Sequence, residues 1–353
     1  MNQYIGLDGH KESCTFVVLD EKGRITRQAV IETNTQALIK FMKTIPGKRH
    51  LCVEEGTQSQ WFYEIFSSHV HDLAVVEGRK NRGSKDDAKD ARGLAERFRK
   101  GDLGPRIYKV PESLTTLKDL VKSYETINKD LTRVKNRLKH QYRCRGFAYS
   151  ETECPYCKRS ALTRSNCRKP GFHQNLVLLH KQQQELEPLK AEAQKAMVAE
   201  AARHSITRIL KTAPGFGPVR SAELLSIVID PYRFRTSRQL WKYCGLAIVM
   251  RSSGDWVQKP NGQWIRAQVA QTRGLNQNFN RPAKAIFKGA ALSVITTSKK
   301  EIYLRADYHR LLENGTKPNL ARLTIARKIA AIVLAMWKNK ELYDPEKYSM
   351  INK

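Results

Sequence analysis

Acidic residues are scarce in this 353-residue chain: 34 Asp and Glu stand against 63 Lys and Arg, for a net charge of +29. An excess of that size makes an isolated fold repel itself, whereas neutralising phosphates and releasing their counterions is favourable, so nucleic acid is the leading partner. Long apolar runs are also missing. No stretch approaches the roughly 20 residues of a membrane-spanning helix, and the amino terminus lacks the pattern of a secretion signal. A membrane surface is therefore the weaker reading, and cytoplasmic residence is the expectation. Cysteine is sparse as well. Seven in the whole chain exclude a secreted disulfide scaffold, and Cys14, Cys52 and Cys244 lie in apolar stretches where a free thiol packs as a small hydrophobe.

The length predicts two or three domains. From Tyr4 to Ile31 the chain reads as a three-stranded meander, Tyr4 to Asp8, Cys14 to Leu19 and Ile25 to Ile31, with a turn at Asp20 to Gly23. An amphipathic helix carrying Ala37, Leu38, Phe41, Met42 and Ile45 follows, then a strand from His50 to Glu54. Trp61, Phe62, Ile65 and Phe66 mark a second helix, Leu73 to Val76 a fifth strand, and Asp87 to Arg99 a third helix. The order βββαβαβα is that of the ribonuclease-H-like fold, with three antiparallel strands and parallel crossovers after them.

Beyond this α/β region the pattern is all-α. Leu117, Leu120, Tyr124, Ile127, Leu131, Val134 and Leu138 step by three and four, a heptad seam, and a second polar helix from about Leu176 to Arg203 carries Leu179, Leu186, Leu189, Ala193 and Met197. The pair predicts a helical arm or coiled coil. Pro214-Gly215-Phe216-Gly217-Pro218 then sits between two helical patterns, the form of a helix-hairpin-helix whose turn offers N–H groups to phosphate or of an ordinary helix connection. Asn319 to Trp337 predicts a long helix with Ile325, Ile329, Ile332, Val333 and Met336 inward. The expected domains are 1–105, 106–205 and 206–353.

The few acids fall where chemistry needs them. Asp8 ends the first strand, Glu54 ends the strand expected beside it, and Asp87 and Asp90 share one face of a helix. Four carboxylates from three elements can hold Mg²⁺, which takes hard oxygen ligands and leaves positions for water and phosphate. Asp86 and Glu55 replace their neighbours if the helix or strand phase differs.

These residues resemble the insertion-sequence 110 family of transposases, the DEDD recombinases guided by a bridge RNA. The resemblance rests on Tyr4-Ile5-Gly6-Leu7-Asp8, Val53-Glu54-Glu55-Gly56-Thr57, Asp87-Ala88-Lys89-Asp90-Ala91-Arg92, Pro214-Gly215-Phe216-Gly217, Leu240-Trp241-Lys242-Tyr243-Cys244-Gly245-Leu246, Arg251-Ser252-Ser253-Gly254, Arg273-Gly274-Leu275-Asn276 and Phe287-Lys288-Gly289-Ala290-Ala291. It implies a RuvC-like amino-terminal domain, a coiled-coil arm and a carboxy-terminal transposase domain with a serine nucleophile, matched here by Ser253, with Ser252 as the rival. It also implies a composite centre in which Mg²⁺ on Asp8, Glu54, Asp87 and Asp90 of one subunit faces Ser253 of another. The product of attack would be a transient 5′-phosphoserine link to DNA. Donor and target DNA, a structured non-coding RNA and further copies of the chain, as a dimer or tetramer, are the implied partners, in a prokaryotic cytoplasm at the nucleoid.

Two alternatives stand beside it: a RuvC-like nuclease that activates water without a covalent link, and a non-catalytic nucleic-acid-binding scaffold. Arg79, Lys80, Arg82, Lys85, Arg97, Arg99 and Lys100 near the acidic helix, and Arg133, Lys135, Arg137, Lys139, Arg143 and Arg145 along the arm, are candidate phosphate contacts. Cys154, Cys157, Cys167 and His173 have the ligand types of a Cys₃His zinc site; reduced thiols without Zn²⁺ are the other reading.

Overall fold

The computed structural model describes residues 1–78, 86–146, 170–250, 256–266, 272–297 and 302–350. The chain divides into two compact units, Met1–Thr115 and Thr116–Lys353.

The first unit is a five-stranded sheet covered on both faces. Its strands are β1 (Asn2–Gly9), β2 (Ser13–Leu19), β3 (Ile25–Glu32), β4 (Lys48–Glu54) and β5 (Asp72–Val76), in the order β3-β2-β1-β4-β5. β1 pairs antiparallel with β2 and parallel with β4, and β4 pairs parallel with β5. Three helices intervene: α1 (Thr35–Lys43), α2 (Ser59–Phe66) and α3 (Asp87–Arg99).

The period-two alternation of the strands decides which side chains meet which helix. Ile5, Leu7, Leu51 and Val53 turn to one face and form a core with Leu38, Phe41 and Met42 of α1 and Phe62 and Phe66 of α2. On the other face Cys52 packs with Leu94 and Phe98 of α3, and Val17 and Leu19 pack with Ala91 and Ala95. By the same alternation Gly6 and Asp8 of β1, and Glu54 of β4, belong to the α3 side. Gly6 is indispensable there: a Cβ on it would stand 1.8 Å from the carbonyl oxygen of Ala91.

The second unit is mostly helical. Its first long helix, α4 (Glu112–Arg143), begins just inside the first unit and is followed by α5 (Pro170–Ala202). Val134, Leu138 and Tyr142 of α4 share an apolar cluster with Phe172, Leu176 and Leu179 of α5. The buried series of α4 runs Leu114, Leu117, Val121, Tyr124, Leu131, Val134, Leu138 and Tyr142, so the seam takes Val121 where the sequence pattern had placed Leu120. On α5 the expected inward Leu189 is instead 47% exposed. The stripe from Phe172 through Leu176, Leu179 and Gln183 reaches Lys190 at its next full heptad and leaves Leu189 on the outer side.

Shorter helices complete the unit: α6 (Ser205–Leu210), α7 (Pro218–Val228), α8 (Ser237–Tyr243), α9 (Arg281–Thr297), α10 (Ile302–Glu313), α11 (Pro318–Asn339) and α12 (Pro345–Met350). Ile325, Ile329, Ile332, Val333 and Met336 of α11 are buried, as its periodicity predicts. Two small ribbons lie between α8 and α9. β6 (Ile248–Met250) pairs with β9 (Thr272–Leu275), and β7 (Trp256–Gln258) forms a hairpin with β8 (Trp264–Arg266). In the Pro214 to Pro218 turn, Gly215 has φ +70°, and a Cβ there would stand 2.3 Å from the carbonyl oxygen of Ala290 on α9. Among the described residues no helix is long and apolar enough to cross a membrane.

Gly6→Ala is expected to force α3 off the sheet, costing about 3 kcal/mol in urea unfolding; an unchanged midpoint would show that the helix yields freely. A second expectation concerns Glu223 of α7. Burial pushes its carboxyl up to about 7, with Glu125 of α4 acting in the same direction and Arg220 opposing. The folded protein therefore holds a proton there that the unfolded chain has lost, and stability falls as pH rises from about 4.5 to about 7. Glu223→Gln should raise the melting temperature at pH values above that window and have little effect below it, as read by thermal melts across pH.

Candidate metal centre

Asp8 and Glu54 stand at the carboxyl ends of adjacent parallel strands, since Leu7 and Val53 are in register. Ligand sites of open α/β sheets form beyond such strand ends. A groove of about 470 Å³ opens there, lined by Asp8, Gly9, His10, Glu54, Gly56 and Ser59 among others.

The helix α3 delivers the other acids to the same edge. Its contact with β1 is at Gly6 and Ala91. Two strand residues beyond Gly6, roughly 6.6 Å along β1, lies Asp8, and one helical turn before Ala91, about 6 Å along α3, lies Asp87. The near equality of those two steps brings the carboxylates together. Asp87 and Asp90 both sit in the first turn of α3, where the helix dipole favours negative charge.

The convergence includes a residue that the sequence reading passed over. His10 Nε2 lies 3.4 Å from Asp8 Oδ2 and 3.3 Å from Asp87 Oδ1. One ligand atom from each of Asp8, His10 and Asp87 can be chosen so that all lie within 4.8 Å of one another. The histidine nitrogen is buried without an aligned hydrogen-bond partner among the described residues. The converging carboxylate oxygens of Asp8 and Asp87 offer hard lone pairs that a small cation would satisfy, so these residues fit a divalent ion. The only advance signal was position: His10 follows the strand-end acid by two residues in the Asp8-Gly9-His10 run.

Electrostatics carry the mark of the crowding. Burial pushes the Asp8 carboxyl above its ordinary range, the charges of Asp87 and Asp90 push it the same way, and His10 opposes them. Asp90 thus acts on Asp8 even though it is not one of the three converging donors. Glu54 lines the groove and is closely approached from the segment after β5, where a Cβ on Gly78 would stand 1.9 Å from Glu54 Oε1.

The neighbouring acids are occupied elsewhere. The Asp86 carboxylate caps α3, accepting from the backbone N–H of Ala88 and Lys89 at 3.0 and 3.4 Å. Glu55 accepts from the buried Lys109 Nζ at 2.5 Å, and Lys109 also reaches Ser59 Oγ at 2.7 Å. Among the candidate phosphate contacts, Arg97 donates to the Leu103 carbonyl, Arg99 pairs with Glu96 and Arg133 with Asp130. Cys14, Cys52 and Cys244 are buried and free, and burial pushes the last two up to about 12, so they are inert thiols. Ser252, Ser253, Cys154, Cys157, Cys167, Arg79, Lys80, Arg82 and Lys85 lie outside the described residues, as does the side chain of His173.

Residues 5–142 match the DEDD family model described as Transposase, and residues 207–301 match the model described as Transposase IS116/IS110/IS902 family. Together the two matches span well over half of the chain. An uncharacterized 44.8 kDa protein of insertion element IS116 from Streptomyces clavuligerus is 24% identical across 97% of this chain and 96% of its own length. An uncharacterized 43.6 kDa protein of insertion element IS110 from Streptomyces coelicolor is 28% identical over 50% of this chain and 38% of its own. Both halves of the sequence point the same way: the chain belongs to the IS110 family of transposases, enzymes that act on DNA.

Proposed function

We propose that this transposase cuts and rejoins DNA at a composite centre, with the β1/α3 acids holding a divalent cation and Ser253 supplying the nucleophile from another subunit. The convergence of Asp8, His10 and Asp87 at the carboxyl end of β1 carries this reading. Asp8, Asp87, Asp90 and Glu54 would hold the ion, and hard carboxylate oxygens favour Mg²⁺. When bound, the cation supplies electrostatic stabilisation to the charge that develops on phosphate oxygens.

The chain's own groups then have distinct duties. Ser253 Oγ attacks the phosphorus, the P–O3′ bond breaks, and the 3′-oxygen leaves with a proton while DNA remains linked through its 5′-phosphate. Reversal by a different 3′-hydroxyl rejoins strands and frees the serine. His10 lies between Asp8 and Asp87, its Nε2 3.4 and 3.3 Å from their carboxylate oxygens. Imidazole is not a preferred Mg²⁺ ligand, so its role is to orient the carboxylates. A RuvC-like first domain, a coiled-coil arm and a dimer or tetramer belong to the same proposal, as does a non-coding RNA that selects the DNA sites by pairing. A protein that delegates sequence choice in this way needs to grip phosphates broadly, which suits a net charge of +29.

The test is denaturing-gel detection of protein-linked DNA, using labelled element ends with the flanking non-coding RNA supplied. Wild type should give a covalent adduct, and Asp8→Ala and Ser253→Ala should each lower it by about a hundredfold or more. An adduct that survives Ser253→Ala moves the nucleophile to Ser252 or elsewhere. Cleavage that requires Asp8 but never yields an adduct supports the water-activating nuclease, and no cleavage by wild type supports a scaffold.

The raised Asp8 carboxyl gives a separate expectation. Between its unfolded and folded values the native state binds the extra proton, so stability falls as pH rises through that window. Without metal at neutral pH, Asp8→Asn should therefore melt at a higher temperature than wild type. It should also lose the upward shift that Mg²⁺ or Mn²⁺ gives wild type. A wild-type melting temperature indifferent to both ions would contradict the metal assignment.

A further inference from the structure

The β7–β8 hairpin displays what a protein normally hides. Trp256 is 60% exposed and Trp264 59%, whereas Trp337 of α11 is 6% exposed. The register pairs Trp256 with Arg266 and Gln258 with Trp264. Residues opposite one another share a face, and so do residues two apart on one strand. Trp256, Gln258 and Trp264 therefore lie on one side of the ribbon, with the two indoles diagonal neighbours.

The tip holds this arrangement in place. Lys259 N–H donates to the Gln263 carbonyl at 2.9 Å and Gly262 N–H to the Lys259 carbonyl at 2.8 Å, with Gly262 at φ +81°. Gln258 Nε2 donates to the Gly262 carbonyl at 3.1 Å, and Gln263 N–H to Asn261 Oδ1 at 3.1 Å. Two exposed indoles on a braced ribbon form a stacking platform.

Charge identifies the occupant. Between Pro231 and Lys300 the sequence contains thirteen Lys and Arg and a single acid, Asp255. From Trp256 to Arg266 there is no acid at all, and Lys259 at the tip is exposed. A hairpin that joins exposed aromatic planes to a chain segment so rich in Lys and Arg suits unpaired bases on a phosphate backbone, because every base offers a π-face and every phosphate a charge. A protein partner would need a strongly acidic surface to match so one-sided a charge, whereas any nucleic-acid strand supplies it.

We infer that the Trp256/Trp264 face of this hairpin binds single-stranded nucleic acid by stacking on unpaired bases. The hairpin begins three residues after Ser253 in sequence. The inference rests on the transposase reading only for the presence of nucleic acid.

Its test is accordingly independent of cleavage. Full-length protein carrying Asp8→Asn, in EDTA, is titrated into fluorescein-labelled oligo(dT), oligo(rU) and a duplex, with single strands of about 16 nucleotides. Anisotropy reports binding and circular dichroism confirms folding. Trp256→Ala with Trp264→Ala should weaken single-strand binding by about tenfold or more, in keeping with base–aromatic stacking, and should leave duplex binding unchanged. Trp256→Phe with Trp264→Phe should keep most of the single-strand affinity. A greater loss on oligo(rU) assigns the face to RNA and a greater loss on oligo(dT) assigns it to a DNA strand; either supports the inference. Undiminished single-strand binding by the folded alanine pair overturns it, as does an equal loss on duplex. Loss of self-association in sedimentation velocity with nucleic-acid binding intact would also overturn it, by making the hairpin a protein contact.

Discussion

The approach of α3 to β1 at Gly6 is the contact on which the candidate centre depends. Backbone meets backbone there, with the Ala91 carbonyl occupying the space where any side chain at position 6 would stand. A helix held so closely has little freedom to slide, and one turn towards its start are the acids that must reach Asp8. The flanking apolar contacts of Leu94, Ala95 and Phe98 with the sheet hold the rest of the helix down, while the Asp86 cap fixes where it begins. Asp87 is then the first helical residue and cannot take the capping role.

That placement sets packing against electrostatics. Helix and sheet bury apolar surface on the α3 face, and the same docking forces Asp8, Asp87 and Asp90 into mutual repulsion. The helix dipole and His10 relieve part of it. A divalent cation would relieve far more, which is why the cluster is an intelligible metal site and a poor device for stability. Nearby, the Glu55–Lys109–Ser59 network ties the loop after β4 to the chain beyond α3. A strand-end acid can thereby be presented on a braced loop.

The α/β unit was legible because its signals agree. Short strands, two clear helix stripes and a third helix rich in Ala, Leu and charge lead to the element order found in the structure, down to the antiparallel first three strands. The pair Asp87 and Asp90 was legible through helical spacing, and Asp8 and Glu54 through their strand-end positions. His10 was not, since a polar residue after a strand has no periodicity to betray where it turns. Gly6 was visible only as part of a motif; its role as the seat of α3 depends on a contact between segments some eighty residues apart. On the arm, Leu120 and Val121 are both apolar, and neighbouring positions differ by only about 100° around a helix. The pattern identified the helix and most of its seam, Leu117, Tyr124, Leu131, Val134 and Leu138, but chose Leu120 over its neighbour Val121, and on the second helix it took Leu189 for an inward position.

The central claim is that the β1/α3 acids form a metal centre. Anomalous diffraction from crystals soaked in Mn²⁺ tests it most directly, because the ion is located by its own scattering and needs no substrate or RNA. The account predicts a peak within coordinating distance of Asp8 and Asp87, with Glu54 or Asp90 completing the protein ligands. A peak elsewhere, or none at this edge of the sheet while Asp8 and Asp87 remain together, would contradict it.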